Sequence, residues 1–377
     1  MFKCIIGADL VPTESNIGLF AKADVEKLIG EDIKKLLNSA DFTMFNLEVP
    51  LTDLSTPIKK CGPNLIAPTK TIAGLKAINP YFFTLANNHI LDQGEQGLKS
   101  TIALLDEHGI AYAGAGKDLA LAAKPYILAL EGKKIGIYCC AEHEFTIATE
   151  TTPGANPFDP LNSLDHVLEL KKQCDYVIVL YHGGKEHYRY PSPYLQKVCR
   201  KIVDKGADIV VCQHSHCIGC EEKWHGGTIV YGQGNFLFDD CDNEFWNSGL
   251  LIELNFSKDN KVEIKYIPIE KKKNTVRLSC DNRVLESFKN RSQQIIEKGF
   301  IEENYYLFAE FMSRDYYYRL SGRIARFLPI RIINKLTSYL LLKWIYGERE
   351  KLNIVNCLEC EAHRELLTYI LNYKNKI

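Results

Sequence analysis

Short apolar runs separated by amphipathic segments are the feature of this sequence that most restricts its fold. Their length and composition are typical of buried β-strands. The runs are KCII, FTMFNLE, YFFTLAN, KIGIYCC, YVIVLYHGG, ADIVVCQ and TIVYGQGN. Helical patterns lie between several of them, for example over residues 97–108 and 194–205. This alternation predicts a layered α/β domain.

The pattern changes toward the C-terminus. After Asn247, the runs GLLIELNFS and KVEIKYIPIE are joined by the turn-forming residues KDN, which predicts a pair of strands. From about Val284 the sequence becomes rich in aromatic residues, leucine and arginine in helical patterns. We therefore predict a first domain over residues 1–280 and a helical C-terminal region over residues 281–377.

Composition limits the classes of function and the compartment. The chain has 377 residues and a formal net charge of -1, which argues against the broad cationic surface of a nucleic-acid-binding protein. The start, MFKCIIGADL, lacks the basic and long apolar regions of a signal peptide, so a cytoplasmic protein is expected. The 13 cysteines are odd in number and scattered, which indicates reduced thiols.

Polar residues gather where the apolar runs stop. The residues at these positions are Asp9, Asn46, Glu48, Asn87, Asn88, His89, His182, His214 and His216. Ligands of open α/β sheets collect outside the carboxyl ends of the strands, so these side chains are expected to be neighbours. Any one of them alone would be an ordinary turn residue. The whole set, composed of metal-ligand types and their partners, predicts a functional site.

The stretch VVCQHSHCIGC carries two of these residues and three cysteines. His214 and His216 are two residues apart on an extended segment, so both point to the same side and each can reach a metal ion. A structural zinc site built from Cys212, Cys217 and Cys220 is the alternative. Only Cys217 and Cys220 have the spacing of half such a site, so the cysteines are expected to pack in the core.

Six motifs in order make the sequence resemble a known family. They are GADL, FNLEVPLT, LANNHILDQGEQGL, YHGGKEHYRYPSP, GADIVVCQHSHCIGCEE and YGQGNFLFD. Over roughly residues 2–250, the chain resembles the CapA-type capsule synthesis proteins, a branch of the calcineurin-like metallophosphoesterase superfamily. The resemblance implies a four-layer metallophosphatase-like α/β sandwich with a C-terminal helical appendage. The chain departs from the family at Cys212 and Ser215, where glycine and proline are usual.

The resemblance also implies roles for individual residues. The implied metal ligands are Asp9, Glu48, Asn88, His182, His214 and His216. His89 is the implied acid/base or transition-state group, and Asp92 would orient it. Glu186 and Asn46 are candidates for substrate binding, although Glu186 could instead be solvated and Asn46 could instead cap a turn.

The implied ligand set favours two divalent transition-metal ions, because its mixture of oxygen and nitrogen suits manganese, iron or zinc. A bridging Glu48 would hold them close enough to deprotonate a shared water. The expected ligands are Asp9, Glu48 and His216 for one ion, and Glu48, Asn88, His182 and His214 for the other. Val11 stands where calcineurin-like phosphatases commonly have a histidine, so the first site is one ligand short.

Two classes of function follow from the resemblance. The first is a metal-dependent hydrolase that cleaves a phosphoester or polymer linkage during synthesis of a surface polysaccharide or poly-γ-glutamate, with an anionic small-molecule or polymer substrate. The second is a non-catalytic capsule assembly factor that keeps the metal cradle and contacts other capsule-biosynthesis proteins. Lys59 and Lys60 are expected to be solvated, with contact to an anionic substrate as the alternative.

The C-terminal region contains SGRIARFLPIRIINKLTSYLLLKWIYG, which mixes basic and large apolar residues. Charges interrupt every apolar run before it reaches membrane-spanning length, so no transmembrane helix is expected. The basic residues are Arg323, Arg326, Arg331, Lys335 and Lys343. The favoured expectation is a helix packed on the catalytic domain or on a partner. A basic amphipathic helix on an anionic membrane surface stays open.

Overall fold

A computed structural model describes residues 2–238, 243–257, 262–322, 327–337 and 339–372. The basic residues Arg323 and Arg326 of the predicted amphipathic segment lie outside the described residues. The structure divides into two compact units, Met1–Glu302 and Glu303–Ile377. The first unit contains all the strands of the described residues, and the described part of the second is helical.

The predicted apolar runs form strands. In chain order the strands are β1 (Phe2–Val11), β2 (Phe42–Leu47), β3 (Phe82–Thr84), β4 (Ala111–Ala113), β5 (Ala115–Gly116), β6 (Tyr126–Leu130), β7 (Lys133–Ala141), β8 (Gly154–Ala155), β9 (Tyr176–His182), β10 (Ile209–Gln213), β11 (Glu221–Trp224), β12 (Gly227–Tyr231), β13 (Asn235–Phe238), β14 (Ser248–Phe256), β15 (Val262–Lys272) and β16 (Thr275–Leu278).

Helices follow most of the strands in the first half of the chain. They are α1 (Ile17–Ala21), α2 (Val25–Asn38), α3 (Ile72–Ala77), α4 (Gly94–Glu107), α5 (Leu119–Ala122), α6 (Ser163–Gln173), α7 (Pro193–Asp204), α8 (Asn282–Gln294), α9 (Phe300–Leu320), α10 (Leu328–Leu336), α11 (Leu340–Ile345), α12 (Glu348–Glu359) and α13 (Glu361–Asn372). Short 3₁₀ turns cover Thr69–Thr71 and Glu244–Asn247. No helix in the part of the chain that the structure describes is both long and apolar enough to cross a membrane.

Two large sheets carry the first unit. The first sheet has the order β16-β15-β14-β1-β2-β3-β4, and β13 also pairs with β1. Its β1–β2, β2–β3 and β3–β4 pairs are parallel, while β14, β15 and β16 form antiparallel pairs. The second sheet has the order β11-β12-β10-β9-β7-β6, with a parallel centre formed by β12, β10, β9 and β7. The short strands β5 and β8 form a third, two-stranded sheet.

Alternating side chains of the second sheet face two different cores, as the two-residue period of a strand requires. In β9, Ile178 and Leu180 belong to the core shared with the first sheet. Val177 and Val179 pack on the other side, in a core that includes residues of α6 and α7. Residues of α2 and α4 belong to the hydrophobic cluster that also contains the strands of the first sheet. The order is therefore helix, sheet, sheet, helix, which confirms the four-layer α/β sandwich.

Two buried glutamines connect the sheets where the strands end. The amide of Gln213, at the end of β10, donates to the carbonyl of Gly7 in β1 at 3.1 Å. The amide of Gln233 donates to the carbonyl oxygens of Ile6 at 2.7 Å and Leu250 at 2.8 Å. Because these bonds satisfy buried backbone groups across the layers, they fix the spacing between the sheets beside the candidate site.

The division between the units falls at Glu302/Glu303. Helix α8, which lies in the predicted C-terminal region, belongs to the first unit, where Arg291 donates to the carbonyl oxygens of Ile218 and Gly219. The first compact unit therefore extends beyond residue 280, where the sequence predicts the end of the first domain. That domain boundary stays a prediction.

Candidate metal centre

The six predicted ligands converge at the carboxyl ends of strands from both sheets. Asp9 and Glu48 come from β1 and the end of β2, and Asn88 follows β3. His182 ends β9, while His214 and His216 follow β10. All six side chains are buried; they are Asp9, Glu48, Asn88, His182, His214 and His216. The rule that ligands gather at strand ends therefore places them correctly as neighbours.

Their ligand atoms form two overlapping groups. In one group Asp9, Glu48 and His182 offer atoms that all lie within 4.8 Å of one another. In the other group, ligand atoms of Glu48, His214 and His216 also lie within 4.8 Å of one another. Glu48 belongs to both groups, which is the position of a bridging carboxylate. The grouping joins His182 with Asp9 and His214 with His216, unlike the allotment expected from the sequence.

Asn88 lies against the first of these groups. Its Oδ1 is 3.0 Å from Nε2 of His182, and its amide donates to a carboxylate oxygen of Glu144 at 3.3 Å. The bond to Glu144 directs the amide nitrogen away from His182, so the oxygen of Asn88 faces the cluster. An oxygen in this position could complete the coordination of an ion held by His182 and Glu48.

Unsatisfied atoms in the cluster provide a test of whether it fits a cation. Glu48 Oε1 and His214 Nδ1 are buried and have no hydrogen-bond partner. Burying a carboxylate oxygen without a partner is costly, and a bound cation would supply the missing partner. The donor set of carboxylate oxygens, one amide oxygen and imidazole nitrogens suits manganese, iron or zinc. The residues present therefore fit divalent transition-metal ions.

The zinc alternative based on cysteines finds no support in the cluster. Within the described ranges, the groups of side chains close enough to share an ion contain only Asp, Glu and His. Cys212, Cys217 and Cys220 are buried free thiols. The sulfur of Cys212 lies 3.6 Å from that of Cys199 in the core beneath α7. These cysteines pack in the core, as predicted.

Burial and neighbouring charges give the ligands different proton affinities. Burial lowers the pKa of His182 to about 4 and holds the pKa of His214 well below its ordinary value. Burial opposes the charged form of His216 too, but the hydrogen bond that His216 donates to Asp9 and the charge of Glu48 outweigh it and raise the pKa to about 9. Burial, followed by repulsion from Asp9, raises the pKa of Glu48 to about 8.

These pKa values predict how metal binding depends on pH. Metal ligation requires neutral imidazole and ionised carboxylate, so an ion has to displace protons from His216 and Glu48. We expect affinity for Mn²⁺ to rise between about pH 6.5 and about pH 8.5, by about tenfold per pH unit for each proton released. Calorimetric titration in two buffers with different ionisation enthalpies would count the protons. An affinity that does not change over this range would contradict the prediction.

Three asparagines orient the ligands. The amide of Asn46 donates to Asp9 Oδ1 at 2.9 Å, and its carbonyl oxygen accepts from Asn87 at 3.0 Å. Asn46 is fully buried, which favours a role in orienting ligands over the predicted contact with substrate. Asn235 lies 2.9 Å from Nδ1 of His216 and leaves Nε2 of that ring for an ion. Asn87 was predicted only as a member of the strand-end set, and Asn235 was not among the predicted site residues.

The proposed acid/base pair is formed as the resemblance implies. His89 Nδ1 lies 2.5 Å from Asp92 Oδ2, so this nitrogen carries the proton that Asp92 accepts and Nε2 is free for the site. The backbone N–H of His89 donates to Asn87 Oδ1 at 3.1 Å. His89 and Asp92 are both buried. The bond to Asp92 therefore orients the ring, and the bond to Asn87 fixes the backbone beside the ligand Asn88.

The double-histidine loop has an unusual backbone. His214 and His216 have φ angles of 97° and 52°, a region that non-glycine residues seldom adopt. Such strain persists only where the surroundings enforce it, and it concentrates at functional sites. Gly232 faces this loop with a φ of 116°, and a Cβ there would lie 2.8 Å from the Cys217 carbonyl oxygen. Gly232 thus permits the close approach of these two segments.

Two acidic residues lie beside the cluster. Glu186 is exposed in the loop after β9; the charges of His214 and His216 outweigh its partial burial and lower its pKa. Glu144 Oε1 is 3.8 Å from Nε2 of His214. Glu144 was not predicted, although the residues EHE follow the end of β7 and match the same strand-end pattern. Glu186 stays a candidate for substrate contact, and Glu144 joins it.

Two relatives of known name are similar to this chain over more than half of its length. The PGA biosynthesis protein CapA of Bacillus subtilis is 28% identical over 247 residues, which is 63% of this chain and 63% of that relative. The capsule biosynthesis protein CapA of Bacillus anthracis is 30% identical over 216 residues, 55% of this chain and 53% of the relative. The chain thus matches less than two thirds of the length of either relative.

A putative 5'-nucleotidase from Staphylococcus aureus is similar in structure, at 13% identity and a TM-score of 0.47, over 78% of this chain and 58% of that chain. The model of the family described as bacterial capsule synthesis protein PGA_cap matches residues 8–240. This match covers more than half of the chain and includes every predicted ligand. The chain therefore belongs to the bacterial capsule synthesis protein PGA_cap family.

Proposed function

We propose that this protein is a metal-dependent hydrolase of capsule or surface-polymer synthesis, with a phosphoester or a polymer linkage as its target. The observation that carries the proposal is the convergence of six buried ligand-type side chains with the His89–Asp92 pair at one end of the two sheets. The names of the relatives, a PGA biosynthesis protein and a capsule biosynthesis protein, support the polymer context.

The chain's own residues divide the work of the proposed reaction. Asp9, Glu48, Asn88 and the three histidines would hold two divalent ions, which when bound supply Lewis-acid polarisation and a water-derived nucleophile at neutral pH. Nδ1 of His89 is occupied by Asp92, so Nε2 is the atom that would protonate a leaving oxygen or stabilise developing charge. The exposed Glu186 would contact the substrate at the edge of the cluster.

A non-catalytic assembly factor remains the second proposal. Val11 is buried at the end of β1, so no histidine completes the first ion site in the usual way. A protein that only binds polymer would keep the cradle but would not need the His89–Asp92 pair. The formation of that pair with a fixed tautomer favours the hydrolase.

Metal analysis combined with a substrate screen tests the proposed function. Full-length protein would be loaded with Mn²⁺, Fe²⁺ or Zn²⁺ and assayed on bis(p-nitrophenyl) phosphate, p-nitrophenyl phosphate, poly-γ-glutamate and capsular polysaccharide. We expect metal-dependent turnover of at least one of these that a chelator abolishes. A protein that binds metal and poly-γ-glutamate but cleaves none of the four would support the assembly factor instead.

Helix α10 of the C-terminal unit exposes an apolar face, which bears on the membrane contact that the sequence left open. On α10, Leu328, Ile332 and Leu336 are 66%, 52% and 80% exposed. Asn334 faces the opposite way and is fully buried, where its side chain accepts from the Leu341 N–H at 3.2 Å. The apolar side of this helix is therefore its exposed side. We propose that it contacts an anionic membrane surface, assisted by Arg331 and Lys335.

Vesicle sedimentation tests this contact. We expect full-length protein to sediment with phosphatidylglycerol vesicles at low ionic strength and to be released as salt screens Arg331 and Lys335. The double variant Arg331→Glu/Lys335→Glu should sediment markedly less, and phosphatidylcholine vesicles provide the neutral control. Binding that is insensitive to salt and to the double substitution would contradict the proposal. Absence of sedimentation with either kind of vesicle would also contradict it and would favour packing against protein.

A further inference from the structure

Lys60 lies against the proposed acid/base pair, although the sequence shows it only as one of two adjacent lysines in a loop. Its side chain is 2% exposed and forms an ion pair with Oδ1 of the fully buried Asp92. Its Nζ is 3.4 Å from the carbonyl oxygen of Asn88 and 3.2 Å from Nδ1 of His89. A buried ammonium is costly unless it is paired. Here it is paired with the carboxylate of Asp92, and it lies beside Asn88 and His89.

The carboxylate of Asp92 is engaged on both oxygens. Oδ2 accepts from His89 Nδ1 at 2.5 Å and from the backbone N–H of Leu65 at 2.6 Å. Oδ1 pairs with Lys60. Since a lysine ammonium only donates and Nδ1 of His89 already carries the proton bound to Asp92, Nζ contacts the ring without a hydrogen bond to that nitrogen. The plane of the carboxylate is thus fixed by three partners, two of which belong to the Lys60 loop.

The loop that carries Lys60 is itself fastened to the turn after His89. Ile58 N–H donates to the Asp92 carbonyl at 3.0 Å, and Thr56 N–H donates to Gln93 Oε1 at 2.8 Å. The side-chain amide of Gln93 donates to the Leu65 carbonyl oxygen at 2.9 Å. Bonds on both sides of Lys60 therefore hold the loop in place, so the position of the ammonium is set by the backbone.

We propose that Lys60 is a positioning residue of the catalytic site. By holding Asp92 Oδ1 and the Asn88 carbonyl together, it fixes the His89 ring with Nε2 toward the cluster and keeps Asn88 in its ligand position. The inference rests on the proposed function, because His89 has a chemical task only in a hydrolase. Without Lys60, Asp92 Oδ1 loses its ion-pair partner, the carboxylate can turn, and His89 loses its fixed orientation.

Kinetics of single and double variants test the role. We expect Lys60→Met to lower kcat for bis(p-nitrophenyl) phosphate by about 10- to 100-fold, with KM nearly unchanged, as loss of an outer-shell partner does. The same change in a His89→Asn background should cause no further loss, because Lys60 acts through His89. Lys60→Arg should recover part of the activity, and Lys59→Met, a change at the exposed neighbour, should leave it intact. An equal loss in both backgrounds, or a loss confined to KM, would overturn the proposal.

A spectroscopic measurement separates this inference from the proposed function. In protein with ¹⁵N-labelled histidine, the Nδ1 proton of His89 should resonate far downfield because of its short bond to Asp92. We expect Lys60→Met to remove or strongly shift this signal while Lys59→Met preserves it, whether or not the protein hydrolyses any probe. If Lys60→Met does not fold, Lys60→Gln takes its place, since glutamine keeps a donor and lacks the charge. An unchanged signal in the folded Lys60 variant would refute the positioning role.

Discussion

His89→Asn is expected to lower turnover by about 10²- to 10⁴-fold while metal content and fold are retained. The reason is that, in the proposed reaction, Nε2 of His89 would transfer the proton or stabilise the developing charge, and asparagine offers neither function at that position. Steady-state kinetics on the best substrate of the screen, with metal content measured on the same samples, would give the result. The backbone N–H of residue 89 keeps its bond to Asn87, so the turn that carries Asn88 should survive the change.

His225→Asn provides the matched control for this substitution. His225 is exposed and pairs with Asp204 away from the cluster, so the same chemical change there should leave turnover unaffected. If His89→Asn retained the turnover of the unchanged protein, the acid/base assignment would be wrong. Loss of metal together with turnover would instead show that His89 supports the ion sites.

Glu48→Gln is expected to remove both ions, because Glu48 is the one carboxylate that both ligand groups share. Elemental analysis after gel filtration would show the metal content of the variant falling toward zero, whereas an Asn88 variant should keep one ion. Added Mn²⁺ should raise the melting temperature of the unchanged protein through mass action and should not raise that of Glu48→Gln.

The metal-free variant should unfold no more easily than the metal-free parent. Glu48 Oε1 is a buried carboxylate oxygen without a hydrogen bond, so replacing the carboxylate with an amide removes a cost of the empty cradle. Glu263→Gln, at an exposed position of β15, is the control with the same loss of charge. Full metal content in Glu48→Gln would exclude the bridging role.

The strand-end pattern was a good predictor because it follows from the geometry of the sheet. Asp9, Glu48 and His182 each follow an apolar run, and parallel strands bring such positions to one edge. The continuous apolar run of β9 is likewise typical of a strand that is buried on both faces, as β9 is. Strands β6 and β11 lie at sheet edges and were not recognised, because β6 is a short and mostly incompletely buried run, YILAL, and β11, EEKW, is mostly polar.

Residues brought to the site by loops were harder to predict. In the sequence, Lys60 is one of two adjacent lysines that are expected to be solvated. Its side chain is buried because hydrogen bonds of Thr56 and Leu65 hold its loop against the turn after His89. Asn46 was expected to cap a turn or to bind substrate, because the sequence does not show that Asp9 is its neighbour in the adjacent strand. In both cases the contacts that decide the position of the side chain join segments that are distant in the sequence.

The connection between the two sheets gives bound ions an effect on the whole chain. Asp9 accepts a hydrogen bond from the backbone of His214, which lies 205 residues away in the sequence. An ion held by the group of Asp9, Glu48 and His182 would join residues far apart in the sequence and close a long loop, as a disulfide does, but reversibly. The conformational entropy that such a closure removes from the unfolded chain grows with loop length. Depletion of metal would therefore weaken the first unit as a whole, and its lifetime in a cell would depend on the supply of the ion.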